Sequence, residues 1–115
     1  MTIPFVPVNN SGIISYADDS TDTSVTFAPT SGTVPNCLFV VNPDTANVVA
    51  VNYSFDALDT NASIPTSGAN GIGVIVAPLG QVLIRVDSTY QSGNLYVSAV
   101  GDSATGAVFV TPGVI

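Results

Sequence analysis

The stretch Asn47-Val48-Val49-Ala50-Val51-Asn52-Tyr53-Ser54-Phe55 decides the fold class. Val49, Val51, Tyr53 and Phe55 share one parity, and Ala50, Asn52 and Ser54 share the other. Successive side chains of an extended chain point to opposite faces, so this period of two makes one face more apolar than the other. Branched and aromatic side chains also pack well on a pleated surface and lose rotamer freedom in a helix. The stretch is a strand.

The same chemistry recurs on either side of it. Eight strands are expected, near Gly12–Tyr16, Ser24–Ala28, Asn36–Asn42, Asn47–Phe55, Gly71–Val76, Gln81–Val86, Asn94–Val100 and Ala107–Thr111. Gln81–Val86 turns Val82, Ile84 and Val86 inward and leaves Leu83 and Arg85 outside. Leu95, Val97 and Ala99 form another inward stripe. Phe39-Val40-Val41 is apolar on both faces, as expected of a strand lying between the core and a neighbour. Asn42-Pro43-Asp44 and Ala77-Pro78-Leu79-Gly80 carry tight-turn chemistry. Gly101–Gly106 is expected as a hairpin loop joining the last two strands. Gly71-Ile72-Gly73 marks a strand start or bulge. Asp56–Asn70 is polar and aperiodic, a long surface loop with a brief helical turn expected near Asp56–Asp59.

Good helix formers are scarce and the connections are mostly short. The chain is therefore expected to be all-β: a single antiparallel β-sandwich, or jelly-roll-like domain, of about eight strands over residues 12–115. Residues 1–11 differ. Pro4 and Pro7 impose an extended arm with few backbone donors. The arm has two possible placements, as an edge segment on its own domain or as an extension onto a neighbouring subunit. In the second case Ile3, Pro4, Phe5, Val6 and Pro7 are interface residues.

At 115 residues the chain suits one domain with one core. Only 8% of it is charged, and a single Arg stands against eight Asp. Either Ser, Thr, Asn and Asp keep the surface hydrated, or partner subunits cover much of it. A net charge of −7 argues against nucleic acid and against an anionic membrane, both of which need clusters of Lys or Arg. No apolar run approaches the ~18 residues of a membrane helix. The N-terminal residues lack the basic-then-apolar pattern of a signal peptide, so synthesis in the cytoplasm and release by another route, such as lysis, are expected.

The residue supply also limits chemistry. Without His, neither a Ser nor a Cys nucleophile has its usual base, and zinc lacks its usual ligands. No enzymatic activity and no cofactor are expected. Asp18, Asp19 and Asp22 are a weak calcium candidate, because three carboxylates in five positions supply hard oxygen ligands; the plainer reading is a solvated turn. Asp56 and Asp59 carry a lesser claim. Cys37, alone in an apolar run, reads as a small buried residue. Arg85 suits either a screened surface ion pair or a fork to a neighbouring subunit's Asp, which makes it a further interface candidate.

From Leu38 to the C-terminus the chain resembles small virion proteins of tailed bacteriophages. The likeness rests on Phe39-Val40-Val41-Asn42, the valine-rich Val48–Tyr53, Pro78-Leu79-Gly80, and the closing Val108-Phe109-Val110-Thr111-Pro112-Gly113. The resemblance implies a β-sandwich on the particle surface. Some such proteins are decoration (cement) proteins, usually trimers over capsomer joints, and others are head fibres or tail components. It implies no catalytic residues. The expected function is a virion structural protein that decorates and stabilises a capsid as a homo-oligomer, a trimer favoured, with the major capsid protein or another virion protein as partner. The alternative is a carbohydrate- or receptor-binding module of a phage fibre or adhesin, for which Tyr90, in the turn Asp87–Gly93, is the aromatic expected at the surface.

Overall fold

A computed structural model describes residues 5–7, 12–16, 23–27, 35–55, 62–65, 67–68, 70–86, 94–102 and 106–115. They form nine strands: β1 (Val6–Pro7), β2 (Gly12–Tyr16), β3 (Thr23–Phe27), β4 (Cys37–Val41), β5 (Val49–Ser54), β6 (Val74–Val76), β7 (Gln81–Arg85), β8 (Leu95–Gly101) and β9 (Gly106–Val114). Eight of these fall where strand chemistry places them. The ninth, β1, is the two-residue core of the proline-containing arm.

All pairings are antiparallel. The chain behaves as a long ribbon folded back at β5–β6, with β5 on β6, β4 on β7, β3 on β8 and β2 on β9. Rolling that ribbon adds the pairs β4–β9 and β5–β8. One sheet then reads β2–β9–β4–β7, with β1 beside β2 along the same edge of β9, and the other reads β3–β8–β5–β6. This is the jelly roll, an eight-stranded double sheet.

The rolled topology corrects one expectation. Gly101–Gly106 is not a hairpin loop, because β8 and β9 lie in different sheets. In a rolled ribbon most consecutive strands alternate sheets, which composition at the turn does not reveal.

Alternation builds the core. Leu38 and Val40 of β4, Val49 and Val51 of β5, Leu95, Val97 and Ala99 of β8, and Val108 and Val110 of β9 are buried together between the sheets. Val82 and Ile84 of β7 and the aromatic pair Tyr53 and Phe55 pack on its margin. The Tyr53 and Phe55 rings meet edge-on at 6.5 Å.

Two local features explain element limits. β6 starts only at Val74 because Gly73 has φ +107°, and a Cβ there would lie 2.5 Å from the Val51 carbonyl oxygen. β9 runs through Pro112 although it is an inner strand. The Gly113 carbonyl accepts from Asn36, on the β4 side. By alternation the donor-less nitrogen of Pro112 faces the opposite flank, where pairing passes from β2 to β1.

Candidate docking surface

Strand register lays out the outer face of the β2–β9–β4–β7 sheet in rows. Ile13, Phe109, Val41 and Gln81 form one row across all four strands. Thr111, Phe39 and Leu83 form the next, and Pro7, Gly113, Cys37 and Arg85 the third. The first two rows are mostly apolar and face away from the core. Ile13 is 62% exposed and Phe109 39%. Val41, Phe39 and Leu83 are half-buried. A contiguous apolar patch on a sheet face marks an interaction surface more often than scattered single residues do.

Phe5 of the arm covers one end of this face. The Phe5 ring stacks on Phe39, centroids 5.8 Å apart at 47°. It also lies over Gly113, where a Cβ would come within 2.5 Å of the ring, so glycine is required for the close approach. Beside it Cys37, although on the outer parity, is fully buried, and its Sγ lies 3.3 Å from the Gly113 carbonyl. Burial pushes the Cys37 thiol up, and the nearby Arg85 charge offsets part of that rise.

The other outer face is partly covered by the chain itself, although Ile75, in the row of Ala50 and Val100, stays 43% exposed. Ala50 and Val100 are buried there beneath Ala62, with Ile64 packed against them. Ser63 and Ile72 exchange two backbone hydrogen bonds of 3.0 Å, and the Ser63 hydroxyl accepts a further one from Ile72 N–H. Ala62, Ser63, Ile64 and Ile72, between β5 and β6, are thus pinned over their own sheet. Ser98 is also buried on this face, and its hydroxyl has no hydrogen-bond partner among the described residues.

One corner of the sandwich is fastened by polar groups. The buried Asn42 side chain donates to the carbonyls of Asn47, Val76 and Ala77 at 3.0–3.2 Å and accepts from Asp44 N–H. The Asp44 carboxylate accepts from the N–H groups of Ala46 and Asn47, which hold its pKa below the ordinary aspartate value. Leu79 N–H donates to Asp44 O, and Gly80 N–H to Ala77 O. The two sequence-marked turns are therefore locked to each other. Leu79 stands on this base at φ +58°, 70% exposed.

The structure places the sequence candidates unevenly. Phe5, Val6 and Pro7 lie along their own domain, with Val6 and Pro7 exposed at the edge beside β9. Arg85 is exposed at the end of β7, and among the described residues it has no ion pair. Ile3, Pro4, Asp18, Asp19, Asp22, Asp56, Asp59 and Tyr90 lie outside the described residues. Among those described, no three carboxylate or thiol groups gather as a metal site.

Leu83 is outward-facing and Val41 lies on a strand beside a neighbour as the sequence reads, whereas Ile13 and Phe109 are members of the surface that the sequence did not single out. Their signal was apolar residues at consecutive positions, as in Ile13-Ile14 and Val108-Phe109-Val110. Such runs fill both parities of a strand when the core needs one. No protein-family model, curated protein or solved structure matches the chain.

Proposed function

We propose that this chain is a non-enzymatic structural protein of a virus particle, a capsid decoration (cement) protein that steadies a tailed-phage head through contacts between subunits. The observation that carries the reading is the open apolar face of Ile13, Phe109, Val41, Phe39 and Leu83, set on a rigid jelly roll. An apolar sheet face of this kind suits lateral adhesion to another protein. A jelly roll is also a recurrent architecture of viral shells. The net charge of −7 complements a basic shell surface, which would steer docking and disfavour wrong partners. The major capsid protein, or another protein of the virion, is the partner this chemistry fits.

The test compares particles assembled with and without the protein. Particles lacking it should release their genome at a lower temperature while adsorbing to cells normally. Ile13→Asp with Phe109→Asp, which alters only outward side chains, should reproduce the deletion. Normal particle stability with lost adsorption would sink the proposal in favour of a receptor-binding role.

A further inference from the structure

Among the described residues, β7 is the last strand of its sheet and pairs only with β4. Asn42 N–H donates to Gly80 O at one end of that ladder, and Val86 N–H donates to Asn36 O at the other, both at 2.9 Å. In an antiparallel pair, residues alternate between turning their backbone groups toward the neighbour and away from it. With Val40 opposite Val82 and Leu38 opposite Ile84, the residues Gly80, Val82, Ile84 and Val86 face β4. Gln81, Leu83 and Arg85 turn their N–H and C=O groups to the open edge. Their side chains lie on the outer apolar face described above. Protective devices at sheet edges include proline, bulges and covering segments. β7 has no proline, and Arg85, at its end, is its only charge.

We propose that this edge is the seam of a symmetric pair, in which β7 of a second copy lies antiparallel with Leu83 on the twofold axis. Outward groups must oppose outward groups, and only the register centred on Leu83 opposes all three residues of each strand. That register sets the Arg85 guanidinium against the Gln81 amide oxygen of the other copy and keeps the two guanidinium groups at opposite ends. Leu83 meets its own mate, so the apolar row Phe39–Leu83 runs unbroken across the joint. Val74 belongs to the same flank. Its register opposite Val51 turns it toward the core, yet it is exposed, and among the described residues no strand lies beyond β6. A second copy would supply that cover. An isologous seam of this kind uses up both β7 edges and closes at two copies.

Sedimentation and light scattering of the purified chain test the seam. The wild type should have a mass of about 23 kDa, twice 11.6 kDa. Leu83→Pro should be monomeric with unchanged β circular dichroism, because the lost N–H faces the open edge and serves no bond within the chain. Leu83→Lys, which sets like charges face to face at the axis, should also be monomeric. Gln81→Glu should tighten the pair roughly threefold to tenfold by forming an ion pair with Arg85 at each end, although it adds negative charge to both copies. Amides of Gln81, Leu83 and Arg85 should be protected from hydrogen exchange in the wild type and exposed in Leu83→Lys. A monomer, a trimer, a dimer that survives Leu83→Pro, or a Gln81→Glu variant that loosens would each overturn the seam. A monomer that still steadied particles would overturn the seam and leave the docking role intact.

Discussion

The two outer faces of the sandwich start from similar material and end differently. On the β3–β8–β5–β6 sheet, apolar Ala50 and Val100 are sealed by Ala62 and Ile64 from the chain's own β5–β6 connection. On the β2–β9–β4–β7 sheet, larger apolar side chains stay open, and among the described residues only Phe5 reaches over one end. The fold thus covers the middle of one outer face with its own chain, leaving Ile75 exposed at the β6 edge, and among the described residues leaves more of the other face open. The open sheet is where a partner has something to gain, since burying Ile13 and Phe109 would add ~25 cal/mol per Å² of apolar area before association costs.

Substitutions can break this contrast at different levels. The deepest is Leu38→Ala, which removes a fully buried side chain shared by both sheets. It should cost about 2–5 kcal/mol in chemical denaturation and damage both faces equally. A loss below about 1 kcal/mol would mean the sheets are not packed as described.

Phe5→Ala acts on the open face only. Removing a half-buried aromatic should cost about 1–2 kcal/mol, less than full burial would imply. It should also uncover Cys37, the single thiol, so that a thiol reagent reacts faster with the variant than with the wild type under native conditions. Equal reaction rates would show that Phe5 does not seal that end. Ile64→Ala, its counterpart on the closed face, should leave Cys37 unreactive.

The mildest change lies at the corner joining the sheets. A leucine at positive φ is strained by about 1–2 kcal/mol, and glycine there gives back about 0.5–1 kcal/mol in chain entropy. Leu79→Gly should therefore raise stability slightly, by about 0.5–1 kcal/mol, measured by the denaturation midpoint. The corner should also respond to acid. The folded-state pKa of Asp44 is depressed, so its contribution is present at neutral pH and is lost as pH falls through the acidic range below its ordinary value. Asp44→Asn should flatten that part of the pH profile, and an unchanged profile would remove Asp44 from the account.

Much of the fold was legible because strand and turn chemistry is local. Val49, Val51, Tyr53 and Phe55 declare their face within one stretch, and Pro78-Leu79-Gly80 declares its turn. The order of strands was not legible, since pairing β2 with β9 depends on contacts between distant segments. Asn42 shows the same limit. It reads as a turn residue, yet its amide also reaches Val76 and Ala77, more than thirty positions away. The open face was hidden for a different reason. Phe109 between Val108 and Val110 looks like core in a list of residues, and only the sheet separates one buried parity from the other. Arg85 was singled out from composition, while its place at the free edge of β7 came from register.

An electron-microscopy map of intact particles tests the central claim most directly. The account predicts density for this jelly roll on the outside of the shell, with Ile13 and Phe109 turned onto another virion protein. Density only at a fibre tip, or a shell-bound copy whose Ile13 and Phe109 face solvent, would contradict it.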